Sequence, residues 1–177
     1  MDRRTSIKSL LVISAGAAIF PSCLQEGKKA SITTRNLKIS GADEELLSEV
    51  SESIIPKTDT PGAKDFSAHL FAIMMIDECA PPEDREKFQK GIKAFEDFSK
   101  KIANISFVKA SPEQRAQILT SLETKKEVSE DADFFFNSMK KLTLQAYTTS
   151  EYYLTKVRNF KLVPGKFYGC VPVKKAS

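Results

Sequence analysis

The chain has 177 residues, 41% of them hydrophobic and 28% charged, the usage of one ordinary globular domain. Its net charge of +4 is small and spread out: Arg3, Arg4 and Lys8 against Asp2 give the first 22 residues +2 and leave +2 for the rest. That surplus is too small to argue for a nucleic-acid partner, and one histidine with three distant cysteines argues against a zinc site.

Arg3-Arg4, a hydrophobic Ile7 and Lys8 resemble a twin-arginine export motif. Residues 10–20 form an apolar run broken by Ser14 and Gly16, too short for a spanning helix of about 20 residues. A basic start, a short apolar stretch and Ser22 before Cys23 predict a signal peptide over residues 1–22. Such a leader is an address and not an anchor, and its route usually carries proteins that fold before export. Cys23 resembles a lipoprotein processing site, although Phe20 and Pro21 are not its usual residues. A lipid there would tether the chain to the outer face of a membrane, and stable attachment would need a second lipid or a partner. Residues 23–40 are expected to be a flexible tether, being rich in Ser, Thr and Lys, and 41–177 the folded domain.

Leu46, Leu47, Val50, Ile54 and Ile55 fall at helical spacing in residues 42–55, and Pro56 ends that helix. The Lys57-Thr58-Asp59-Thr60-Pro61-Gly62-Ala63 stretch predicts a rigid turn. Residues 64–79 are apolar nearly all round, which predicts a buried central helix. His69 on it is expected to be a core or boundary side chain, since no partner or pocket for a general base can be named. Phe88, Ile92, Phe95, Phe98 and Ile102 make the apolar stripe of a long helix over 83–104. Ser111-Pro112-Glu113-Gln114 is a capping box opening the next, with Ile118, Leu119 and Leu122 inward. Ser129 caps another, bearing Phe134, Phe135, Phe136, Met139 and Leu142, and a short last helix is expected from Thr149 or Ser150 to Val157. No stretch alternates at period two. The expected class is all-α: a small orthogonal bundle of five to six helices with an irregular C-terminal tail. That tail, residues 160–173, holds Phe160, Leu162, Val163, Phe167, Tyr168, Val171 and Val173 between Pro and Gly residues. A segment so apolar must pack on its own domain or on a partner. With Cys23 lipidated, Cys79 and Cys170 remain, and an exported compartment favours a disulfide over two buried thiols. It would close a loop of about 90 residues and stabilise by up to about 4–5 kcal/mol.

Three stretches resemble the gluconate 2-dehydrogenase subunit 3 family: Ile54-Ile55-Pro56-Lys57-Thr58-Asp59-Thr60-Pro61-Gly62-Ala63, Lys141-Leu142-Thr143 leading to Tyr147-Thr148-Thr149-Ser150-Glu151, and Pro164-Gly165-Lys166-Phe167-Tyr168-Gly169-Cys170-Val171-Pro172. The likeness covers about residues 42–173, and a twin-arginine leader is typical of that family. Ala146 stands where the family usually has glycine, and Phe160 where tyrosine is common. The resemblance implies a non-catalytic small subunit of a periplasm-facing sugar-acid or polyol dehydrogenase. Its large partner would be an FAD-binding flavoprotein of the GMC type, with a cytochrome c subunit carrying haem c, and the small subunit would take the folded flavoprotein through export. The residues agree. There is no Gly-rich dinucleotide fingerprint, no Cys-x-x-Cys-His haem site and no spacing that unites Asp59, His69 and Tyr168 into a catalytic set. Thr58, Asp59, Phe160, Phe167 and Tyr168 are the candidate partner contacts, with closure of the helical core as their other reading. The alternative function is a stand-alone exported lipoprotein or ligand-binding module without a dehydrogenase partner.

Overall fold

A computed structural model describes residues 29–124, 128–163, 165 and 169–170, and within them the chain is an all-α bundle with no strand. Arg3, Arg4, Cys23, Phe167 and Tyr168 lie outside the described residues. Five α-helices follow one another: α1 Gly41–Ile54, α2 Ala68–Cys79, α3 Pro82–Ala103, α4 Pro112–Glu123 and α5 Glu130–Thr149. Short 3-10 turns at Ala63–Phe66 and Phe107–Lys109 and a π turn at Tyr153–Val157 complete the order.

The helix starts are set by side chains that take up the first free backbone N–H groups. Ser40 and Asp43 form a reciprocal box at α1. Ser111 and Gln114 do the same at α4, with bonds of 3.3 and 2.9 Å. The Ser129 hydroxyl accepts from Ala132 N at α5.

The core is built on α3 and α5, which make the most extensive helix pairing. Phe88 and Phe95 of α3 meet Phe135 of α5 at ring-centroid distances of 5.1 and 5.2 Å, and Phe95 meets Phe107 edge-on at 5.0 Å. All four rings are fully buried. Gly91 permits this approach, since a Cβ there would lie 2.6 Å from both Asp131 O and Phe135 Cβ. The predicted stripe of α3 is buried at Phe88, Ile92, Phe95 and Phe98, but Ile102 reaches solvent beyond the last covering turn. Arg115 ties the periphery together. It donates to Phe107 O, to Val108 O and to Glu49 of α1, and lies over the Phe107 ring.

Four expectations change. The stretch expected as one central helix over 64–79 is broken: a 3-10 turn ends at Phe66, and Ser67 takes a left-handed conformation (φ 51°) before α2 begins. Helix α2 buries only one face, and Met74 is exposed. The expected tether differs too, because residues 31–40 lie on the domain. Asp77, itself buried, accepts from the backbone N–H groups of Arg35, Asn36 and Leu37 at 2.7–2.8 Å. Leu37 is buried beside it, and Gln89 donates to Lys38 O. The last helix is only two α-helical residues and a π turn. Finally, Cys79 and Cys170 are free and exposed, not joined in a bridge: Cys79 ends α2 at the surface and Cys170 lies in the exposed tail.

Candidate functional site

Pro56 ends α1's course and throws the chain into the loop of residues 56–62, which the neighbouring carboxylates hold rigidly. Glu52 accepts from Lys57 N at 3.0 Å and from Lys64 N at 2.9 Å, so it clasps both ends of the loop. Asp65 accepts from Gly62 N at 2.9 Å and from Lys57 Nζ at 3.0 Å. The Lys57 ammonium, with the Gly62 N–H, holds the Asp65 carboxyl below its usual range. A Cβ on Gly62 would sit 2.6 Å from Glu52 Oε1 and Lys57 N, so the clasp closes only over a glycine. What the loop presents outward is polar: Thr58, Asp59 and Thr60 are exposed, and the two threonine hydroxyls stand 3.3 Å apart.

The loop returns onto the end of α5. Ala63 and Ala68 pack against Ala146, a contact among small side chains that accommodates alanine there. Phe66 lies 5.6 Å from Tyr147, and Tyr147 lies 5.4 Å from Tyr153 of the π turn. This column of rings joins the loop to the start of the tail. Helix α5 stops because Ser150 turns to extended backbone; its hydroxyl donates to Tyr147 O and accepts from Tyr153 N. The following turn widens until Arg158 N donates to Tyr153 O and Phe160 N to Leu154 O, with Asn159 left-handed. Beyond it the apolar side chains lack cover: Val157 and Phe160 are half exposed, Leu162 is 85% exposed and Val163 81%.

Thr58 and Asp59 lie on the loop that precedes Phe66 and Phe160 lies just past the π turn, the two segments being linked through the Phe66–Tyr147–Tyr153 column, while Phe167 and Tyr168 fall outside the described residues. Val157 and Arg158 belong to the same surface and were not singled out by sequence. The signal available was the proximity of cations to unclaimed apolar residues. Arg158 with Thr148, Tyr153, Leu154 and Phe160 lines a cleft of about 450 Å³.

His69 stands elsewhere, half-buried in a cleft of about 270 Å³ with Lys29, Ser31, Glu44 and Ser48. Its Nδ1 is inaccessible and has no hydrogen-bond partner. Burial pushes its pKa down and Lys64 adds to that, against the pull of Glu44. Asp59 is not among the lining residues, and Tyr168 lies outside the described residues. Another cleft, of about 450 Å³, lies between α1 and α3 over Leu46, Ile92 and Val108, with Asp43, Glu96 and Lys100 at its walls. Among the described residues no group of three metal-ligating side chains occurs, and no helix is long and apolar enough to cross a membrane.

Residues 42–165 match the sequence model of a family described as gluconate 2-dehydrogenase subunit 3. No curated protein and no solved structure matches the chain.

Proposed function

The chain belongs to the gluconate 2-dehydrogenase subunit 3 family, and from that membership we propose that it is the non-catalytic third subunit of an exported, FAD-dependent dehydrogenase complex. The substrate of the complex is a sugar acid such as gluconate, or a polyol, and its recognition lies in the large subunit. FAD sits in that GMC-type flavoprotein, and haem c in a cytochrome subunit that passes electrons onward. This chain binds the folded flavoprotein, stabilises it by mass action, and carries it through the twin-arginine route addressed by Arg3 and Arg4. The complex faces the periplasm, with Cys23 as the site of lipid attachment.

The observation that carries this reading beyond the family is the uncovered end of the bundle. Val157, Phe160, Leu162 and Val163 lie exposed there, and a row of that kind marks a surface suited to another protein. Thr58, Asp59, Phe160, Phe167 and Tyr168 are assigned to that contact. The cleft between α1 and α3 favours the second reading, a stand-alone exported ligand-binding module.

Tagged full-length chain purified from its own cells decides between them. The expected result is an eluate with flavin absorbance near one FAD per chain, and retention of the flavoprotein in the cytoplasm when Arg3 and Arg4 are both replaced by Lys. An eluate without flavin, together with normal flavoprotein export in cells lacking this chain, sinks the complex reading.

A further inference from the structure

Three of the four described arginines have an acidic or carbonyl partner, Arg35 at the surface and the other two within the fold. Arg35 lies 3.7 Å from Glu78, Arg85 donates to Asp77 O at 3.1 Å, and Arg115 is bound by two carbonyls and Glu49. Arg158 is the exception: it lines the cleft beside the π turn with no carboxylate within ion-pair distance among the described residues. Of the cleft's other lining residues Thr148 and Tyr153 carry hydroxyls, and that of Thr148 already donates to Leu144 O and Gln145 O. Tyr153, Leu154 and Phe160 supply apolar walls. The sequence that follows Glu151 is one-signed. Residues 152–177 contain Lys156, Arg158, Lys161, Lys166, Lys174 and Lys175, and neither Asp nor Glu.

We propose that the Arg158 cleft receives a carboxylate side chain of the flavoprotein subunit, with an adjoining apolar residue of that partner laid on Phe160. The assignment rests on the complex proposed above and names the chemistry of its contact. A guanidinium offers a planar fork of donors that a carboxylate fills with two parallel hydrogen bonds. Water exclusion by Phe160, Tyr153 and Leu154 strengthens that pair once the partner covers them. The excess of cations draws an acidic partner surface from solution and sets its orientation. An anionic membrane is the less suitable occupant. The exposed apolar residues sit on irregular backbone around a walled cleft, not along one face of an amphipathic helix of the kind that lies in a lipid interface.

The test uses full-length chain co-produced with the FAD-bearing subunit that accompanies it, comparing wild type with Arg158→Glu, Arg158→Lys and Lys109→Glu. The last makes the same charge change on the exposed 3-10 turn at Phe107–Lys109. Affinity is read as FAD retained per chain over a salt series, and folding by thermal unfolding of the chain alone. Arg158→Glu is expected to weaken the complex about 10-fold or more at unchanged unfolding temperature, and to flatten its salt dependence. Arg158→Lys should retain part of the affinity and Lys109→Glu nearly all. Full retention by Arg158→Glu, or an equal loss in Lys109→Glu, overturns the assignment while leaving the complex intact. So does an Arg158-dependent binding of phosphatidylglycerol vesicles with flavoprotein affinity unaltered. Wild-type chain that retains no FAD overturns the complex itself, and the assignment with it.

Discussion

Asp77 carries more of the structure than its place in the sequence suggests. An acid in the last turn of a helix sits against the negative end of the helix dipole, yet here it is buried and its two oxygens accept three backbone N–H groups from residues 35–37. Burial by itself would raise its pKa. The donors of Arg35, Leu37 and Asn36, aided by the Arg85 guanidinium, outweigh burial and hold it below the usual range. A carboxyl with a depressed folded pKa stabilises above its unfolded value of about 3.9, and loses that contribution as pH falls through the folded value. Asp77→Asn is therefore expected to lower stability by about 1–3 kcal/mol at neutral pH, and to speed amide exchange at residues 35–37. In the acid range the two proteins should converge as the wild-type carboxyl protonates. Urea midpoints at pH 7 and at steps down through the acid range measure this; a gap that never narrows as pH falls would mean the charge is not what holds the segment. Little of this was legible in the sequence, where residues 23–40 read as a flexible tether. The contrary signal was Leu37 and Ile39 alternating with polar neighbours, and a helix whose last turn held acids and no base.

At the scale of elements, the features written in local chemistry were legible. Ser111-Gln114 and Ser129 start helices because their side chains reach N–H groups only two or three residues away, and the α3 stripe is a matter of spacing. The break at Ser67 was not: the apolar density from Phe66 to Ile76 reads as one helix, and the turn is enforced by Asp65 capping Gly62 and by Ser67 N bonding Lys64 O. Nor was Gly91. A glycine inside a long helix costs up to about 1 kcal/mol against alanine, and the compensation is visible only when α5 is laid against it. Alanine at 91 would gain helix propensity but drive its methyl into Asp131 O, a backbone atom that moves only with α5. Gly91→Ala is expected to destabilise by about 1–3 kcal/mol through that overpacking, measured by chemical unfolding. A variant as stable as wild type would show that α5 can slide away freely, and would remove the reason given for the glycine.

At the scale of the whole molecule, the sequence left one question with two answers: whether the apolar tail closes this domain's core or meets another protein. It could locate Phe160, Leu162 and Val163 as apolar residues on irregular backbone, but whether a core has room for them depends on how five helices assemble. The helices fill their own interior with α3, α5 and four phenylalanine rings packed at a tilt to one another. The column Phe66–Tyr147–Tyr153 then carries the chain off the end of the bundle with little left to cover. Leu162 and Val163 consequently bury almost no surface, and at about 25 cal/mol per Å² of apolar area removed from water they contribute little to folding. Ending the chain after Arg158 should then shift the unfolding midpoint by no more than about 2 °C, less than the shift expected from losing 1 kcal/mol in a domain of this size. The same truncation should abolish retention of FAD by the purified chain, because the partner loses both the apolar residues past Arg158 and the four lysines that follow it in sequence. The two readouts separate the alternatives. A midpoint lowered by about 5 °C or more would make the tail part of this domain's own core, and would move the partner contact back to the loop that Glu52 and Asp65 hold open at Thr58 and Asp59.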